Sequence, residues 1–212
     1  MWTVKNERVD YKASELRLKD LVESPVEMFR IWFDQVEGIH PFESTAMTLS
    51  TTNKDGKPSS RVVLLKGYDE NGFVFYTNYE SRKGREIEEN PYGSLNFYWP
   101  SQERQIRING KLRKVSRSRS EKYFHSRPLR SQIAALASNQ SGVIENRDVL
   151  KKKFDELEKE FEGKVIPLPD NWGGYRLEHR SVEFWQGRRD RMHDRFVYTK
   201  NGTIWQMERL AP

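Results

Sequence analysis

Ala46-Met47-Thr48-Leu49-Ser50-Thr51-Thr52-Asn53-Lys54-Asp55-Gly56-Lys57-Pro58-Ser59-Ser60-Arg61-Val62-Val63-Leu64-Leu65-Lys66-Gly67-Tyr68-Asp69-Glu70-Asn71-Gly72-Phe73-Val74-Phe75-Tyr76-Thr77 is the stretch whose reading decides the fold. Ala46 to Thr52 has the composition of a strand, Asn53 to Pro58 that of its turn, and Ser60 to Tyr68 that of the returning strand. Asp69-Glu70-Asn71-Gly72 is a second tight turn, followed by a strand over Phe73 to Thr77. Turns this short force antiparallel neighbours, because a parallel return needs a crossover of a dozen or more residues. The expected fold is therefore a meander or small barrel, not a doubly wound sheet.

Downstream, Ser81 caps a short helix over Arg82 to Glu89, and a strand runs from Ser94 to Tyr98. Arg104 to Val115 reads as a strand pair turning at Asn109-Gly110. Helices are expected over Ser118 to His125, Ser131 to Ser138 and Arg147 to Phe161, the last with Leu150, Phe154, Leu157 and Phe161 at helical spacing. Three strands close the chain: Tyr175 to Trp185, Arg195 to Tyr198, and Thr203 to Arg209. Upstream, Ser24-Pro25 starts a helix carrying Met28, Phe29, Trp32, Phe33 and Val36, which Gly38 stops. Residues 1–23 read as a mobile arm. The fold class is mainly β with flanking helices, an α+β chain in one domain spanning 1–212.

The 212 residues can bury a real core, yet only 35% are hydrophobic while 12% are aromatic, which suggests surface shared with a partner or ligand. A net charge of +6 admits nucleic acid, a membrane surface or phosphorylated small molecules. The absence of cysteine excludes disulfides and thiol catalysis. No apolar run reaches membrane-spanning length and the first residues lack a secretory core, so a cytoplasmic protein is expected. His40, His125, His179 and His193 lack metal-ligand spacing, so no metal is expected. Without a dinucleotide fingerprint, phosphate-loop lysine motif or nucleophile elbow, any enzymatic chemistry would rest on a bound cofactor.

Three clusters could bind an anion. In Thr77-Asn78-Tyr79-Glu80-Ser81-Arg82-Lys83, cations occupy the first turn of a helix, where the dipole disfavours them. A bound phosphate would explain them; so would a tolerated surface charge. Arg61 and Lys66 bracket an apolar strand expected to be buried, and Lys66 could reach Tyr76-Thr77 across the turn. Tyr123, Arg127 and Ser131 are spaced four apart, with Pro128 restarting the helix. A fourth group lies in Glu183-Phe184-Trp185-Gln186-Gly187 and Arg191-Met192-His193-Asp194-Arg195. On a continuous strand, Arg191, His193 and Arg195 would share one face, suited to something negatively charged with Trp185 as a flat wall.

Taken in order, Arg61 to Lys66, Tyr76-Thr77-Asn78, Ser81-Arg82-Lys83, Arg104-Gln105, Tyr123 to Pro128, Ser131-Gln132-Ile133, Gln140-Ser141, Trp172-Gly173-Gly174, Glu183 to Gly187, Arg191 to Arg195 and Arg209-Leu210-Ala211-Pro212 resemble the pyridoxamine 5′-phosphate oxidase family, over nearly the whole chain. The resemblance implies a split β-barrel that binds FMN at the interface of a homodimer, with residues 172–212 as dimerisation and active-site strands. It implies oxidation of pyridoxamine or pyridoxine 5′-phosphate to pyridoxal 5′-phosphate by hydride transfer from C4′ to flavin N5, with O2 reduced to H2O2. By motif match, FMN would be held by Arg61, Val62, Val63, Leu64, Leu65, Lys66, Tyr76, Thr77, Arg82, Lys83, Gln105, Gln140, Ser141, Trp185 and Arg195. Lys66, Tyr123, Arg127 and Ser131 would grip the substrate phosphate. Arg191 and His193 would lie over the substrate ring as catalytic residues, and Arg8 with Tyr11 would close the site. The chain departs from the usual pattern at Lys12-Ala13-Ser14, where a glycine is more common, and in the charged Arg188-Arg189-Asp190.

Two other readings compete. The basic stretch Arg104 to Arg130, interleaved with Tyr123 and Phe124, could bind RNA, although the resemblance implies neither a nucleic-acid nor a membrane partner. A flavin reductase or flavin-storage barrel would use Arg82-Lys83 but leave Tyr123, Arg127, Arg191 and His193 without a role.

Overall fold

The period-two stretch folds as strands, and the apolar helical stretches flank them. The computed structural model of the chain describes residues 10–39 and 41–212. Among these the strands are β1 (Ala46–Thr52), β2 (Pro58–Leu64), β3 (Gly67–Asp69), β4 (Gly72–Asn78), β5 (Tyr92–Trp99), β6 (Arg104–Lys114), β7 (Trp172–Gln186), β8 (Asp194–Asn201) and β9 (Ile204–Leu210). The helices are α1 (Pro25–Glu37), α2 (Pro41–Thr45), α3 (Arg82–Glu89), α4 (Arg117–Ser126), α5 (Leu129–Ala137) and α6 (Arg147–Glu160). The strands pair in the order β2-β1-β5-β6-β7-β4-β3, and β7 also pairs with β8, which pairs with β9.

Four expectations need correction. The strand expected over Ser60 to Tyr68 is two strands, β2 beside β1 and β3 beside β4, at opposite ends of the strand order. Leu65 and Lys66 alone join them, with the Lys66 N–H donating to Val74 O at 2.8 Å. A two-residue link reaches roughly 10 Å, so the end of β2 and the start of β3 are neighbours although they stand at opposite ends of the strand order. β2 is an edge strand and not a buried one: Val62 is 66% exposed, and burial begins at Leu65.

The expected turn at Asn109-Gly110 does not exist, because β6 runs unbroken from Arg104 to Lys114. A Cβ at Gly110 would sit 2.1 Å from Glu178 O, so the glycine serves the close approach of β7. The alternation imagined through Arg191, His193 and Arg195 also fails. β7 stops at Gln186, and Asp190 and Arg191 take left-handed backbones (φ 55° and 61°) before β8 begins at Asp194. A strand cannot pass through consecutive left-handed residues.

Two compact units share these strands: residues through Thr48 with Leu95–Asn109 and Arg180–Pro212, and Leu49–Ser94 with Gly110–His179. In the first, Ser24 Oγ accepts the N–H groups of Val26 and Glu27 at 3.2 and 3.3 Å, capping α1. That cap sets the face of α1 on which Phe29 meets Phe97 (5.2 Å between ring centroids) and Trp32 meets Phe184 (5.2 Å). Each such buried ring contributes about 1.5–3 kcal/mol. In the second, β4 pairs with β7 from Phe73↔Leu177 to Asn78↔Trp172. Phe124, Ile133, Ile166, Leu168 and Trp172 form a core there under α4, α5 and α6.

Candidate active site

The second unit holds a cavity of about 610 Å³ whose lining includes Arg61, Lys66, Lys83 and Arg127 and no carboxylate. One wall is aromatic. Tyr76 from β4 stacks on Tyr123 from α4 at 3.8 Å between centroids, and Trp172 lies nearly parallel to both, 5.6 and 6.2 Å away. The β4–β7 register supplies this arrangement by bringing the start of β7 to the end of β4. Arg127 ends α4 in an extended conformation, since the following Pro128 disfavours helical backbone. Its guanidinium lies 4.8 Å over the Trp172 ring. Burial lowers the Arg127 pKa, and its Nη1 is buried with no hydrogen-bond partner. A buried charged donor left unsatisfied is costly, and an anion in the cavity would relieve it.

Lys83 is buried more deeply than the half-buried Arg127. A Cβ at position 84 would fall 1.9 Å from Tyr79 O, so glycine lets α3 start tight against the preceding turn with Lys83 facing inward. Its Nζ donates to Gln140 Oε1 (2.8 Å), Thr77 Oγ1 (3.1 Å) and Ser81 Oγ (3.1 Å). Burial, and then the Arg61 charge, bring its pKa down to about 8. Arg82 behaves differently. Its backbone N–H donates to Ser141 Oγ at 3.2 Å, while its Nε turns along α3 to Glu86 at 2.9 Å. Ser141 has a left-handed backbone (φ 71°).

The first unit holds another cluster. Trp185 and His193 lie 4.6 Å apart by centroids, and Tyr11 packs edge-on to each at 5.6 and 5.7 Å. The Arg188 N–H donates to His193 Nδ1 at 3.1 Å, so the neutral ring carries its proton on Nε2. Burial, then the Arg191 charge, lower the His193 pKa against the opposing pull of Asp194. Arg195 Nε donates to Glu183 Oε1 at 2.9 Å and its Nη1 to Ala211 O at 2.7 Å. Arg107 is the second guanidinium on Glu183. Arg191 is exposed.

Of the residues singled out from sequence, Arg61, Val62, Val63, Leu64, Lys66, Tyr76, Thr77, Lys83, Tyr123, Arg127 and Gln140 line the cavity. Leu65 is buried behind it, and Arg82 and Ser141 meet beside Lys83. Ser131 sits in the first turn of α5, its N–H bonded to Pro128 O, and does not line the cavity. Gln105, Trp185, Arg191, His193, Arg195 and Tyr11 belong to the first unit. Arg8 lies outside the described residues. Sequence reasoning gave no role to Asn78, Ser138 or Trp172, all of which line the cavity. Asn78 Nδ2 is buried without a partner, a second unsatisfied donor. Its signal was its place at a strand end; that of Trp172 needed the pairing of strands almost a hundred residues apart.

Residues 35–160 match the family model described as pyridoxamine 5′-phosphate oxidase, and residues 172–212 match a pyridoxine 5′-phosphate oxidase C-terminal dimerisation region. The chain is 49% identical to the pyridoxine/pyridoxamine 5′-phosphate oxidase of Cytophaga hutchinsonii, covering 97% of this chain and 96% of that one. It is 50% identical to the chloroplastic oxidase 1 of Arabidopsis thaliana over 97% of its own length, but spans only 40% of that longer protein. Among solved structures it resembles PhzG from Burkholderia lata 383 in complex with tetrahydrophenazine-1-carboxylic acid, with TM-score 0.88, 30% identity, and 95% and 100% of the two chains covered. Among the described residues no helix is long and apolar enough to cross a membrane. With a split barrel, a cation-lined cavity beside stacked aromatic rings and these relatives in agreement, the chain belongs to the pyridoxine/pyridoxamine 5′-phosphate oxidase family.

Proposed function

We propose that this chain is an FMN-dependent oxidase that converts pyridoxamine 5′-phosphate or pyridoxine 5′-phosphate to pyridoxal 5′-phosphate, working as a homodimer with FMN at the subunit interface. The observation that carries the reading is the cavity with four cations, no lining carboxylate, and a buried Arg127 Nη1 without a partner. Such a site fits phosphorylated aromatic molecules, with charge for the phosphate and flat rings beside it. Arg61, Lys83 and the Arg82–Ser141 corner would hold the FMN phosphate, and the β2 edge from Val62 to Leu64 would flank the ring system. Gln105, Trp185 and Arg195 would complete that hold.

When bound, FMN would supply the redox chemistry, as acceptor of the hydride from substrate C4′ and donor of electrons to O2. The protein contributes position and charge. Lys66, Tyr123 and Arg127, which line the cavity, would grip the substrate phosphate. Arg191 would hold the substrate ring and stabilise charge developing as the hydride departs. His193, with its proton on Nε2, presents a donor that would orient the C4′ hydroxyl or amine. Tyr11 and Arg8 would close over the ring.

An absorption spectrum of the purified protein, repeated after adding pyridoxine 5′-phosphate without oxygen, tests the reading. A flavin band that bleaches is the expected result. A persistent band would point to a ligand without a phosphate, as in the PhzG complex, and a protein that takes up no FMN would overturn the assignment.

A further inference from the structure

Two of the arginines at the rim of the cavity are already engaged by an acid. Glu86, on the inner side of α3 and 5% exposed, lies behind the lining and accepts from four donors. Thr51 Oγ1 and Ser59 Oγ each donate to it at 2.5 Å, Arg82 Nε at 2.9 Å and Arg61 Nη2 at 3.3 Å. We propose that Glu86 is a built-in counter-ion that competes with the cofactor phosphate for Arg61 and Arg82, and so sets how tightly the protein holds FMN. This rests on the reading of the cavity given above.

The geometry favours competition over simple support. Arg61 is committed at both ends of its fork: Nη1 to Leu49 O and Thr51 Oγ1, and Nη2 to Ser59 Oγ and Glu86. Any phosphate reaching Arg61 therefore shares it with a fixed carboxylate. Glu86 cannot yield by swinging away, because the two hydroxyls hold it whatever the arginines do. Arg82, with a side chain 63% exposed, is free to turn between the two acids. Burial pushes the Glu86 carboxyl up, but donors from Ser59, Thr51, Arg82 and Arg61 outweigh that and hold it at about 2, so its charge persists at working pH. Lys83 feels the Glu86 charge only at a distance and donates to neutral oxygens, and Arg127 Nη1 has no partner, which leaves these two the stronger attraction for an arriving anion.

The test is FMN affinity of the apoprotein, followed by quenching of flavin fluorescence. Glu86→Gln keeps the shape and an acceptor for the hydroxyls while removing the charge, and should tighten FMN by about tenfold at low salt, with the gain shrinking as salt rises. Glu86→Asp, which keeps the charge, should give no gain. If the glutamine variant fails to fold, Glu86→Met carries the same expectation. Unchanged or weaker FMN binding by a folded neutral variant would overturn the inference while leaving the cavity reading intact. Failure of the unmodified protein to bind FMN at all would remove both.

Discussion

The cations of the cavity and those of the C-terminal cluster have different partners. In the cavity Lys83 is answered by three neutral oxygens, and Arg127 Nη1 by nothing. In the C-terminal cluster Arg107 and Arg195 share Glu183, Arg209 reaches Asp194, and Arg188 reaches Glu15. A buried charged donor with no partner at all, as at Arg127 Nη1, is an unfinished interaction, and its natural completion is a ligand. A cation held by a carboxylate is fixed in place, as Glu183 fixes Arg107 and Arg195 and as Glu86 fixes Arg61 at the cavity. The comparison also isolates Arg191, which stands exposed on a left-handed turn, belonging to neither group.

Four measurements would break or sharpen that contrast. The largest effect is expected from Arg191→Ala, which should lower kcat/KM by about a hundredfold or more. Flavin content should stay full, and parallel loss of flavin would show that Arg191 is not reserved for the substrate. Next, Arg127→Met should raise the KM for pyridoxine 5′-phosphate by roughly 10–100-fold, the worth of a charge-assisted hydrogen bond, with kcat little changed. An unaltered KM would mean that the unsatisfied donor faces something other than substrate.

The third test uses pH. Free Lys83 titrates at about 8, and a bound phosphate dianion raises that value by favouring the charged form. Binding then takes up a proton above pH 8, so FMN affinity should fall on the order of tenfold between pH 7.5 and 9. Lys83→Met should bind more weakly at pH 7 and lose the slope; a slope that survives assigns the proton elsewhere. The smallest functional effect belongs to Glu183→Gln. It should cost about 1–2 kcal/mol of stability, seen as a lower Tm, while FMN affinity moves by less than about threefold. A larger change in affinity would promote this acid from scaffold to site.

The contrast also separates what could be read in the sequence from what could not. β1, α1 and α3 were legible to the residue, because caps, prolines and alternating burial are local features. Gly110 misled because a glycine that opens a turn and one that admits a neighbouring strand look alike without the neighbour. The break after Leu64 was hidden for the same reason: nothing in Val63-Leu64-Leu65-Lys66 says that the chain leaves one sheet edge for the other. At the site, residue types were readable and partners were not. Arg82 and Lys83 are adjacent in sequence, yet one lies along α3 to Glu86 and the other reaches across to Gln140. Trp172 becomes part of the aromatic wall only through the pairing of β4 with β7.

That pairing has a consequence for the order in which the molecule is made. Residues 61–78 supply most of one side of the cavity, but apart from the three-residue β3 beside it, β4 finds its long partner only at residues 172–177. Closing so long a loop is slow, and a chain emerging from its N-terminus exposes β4 before β7 has been synthesised. The cavity is therefore a late product of folding, and cofactor can be captured only by a chain that is almost complete. Flavin uptake would accordingly serve as a clock for the final assembly step.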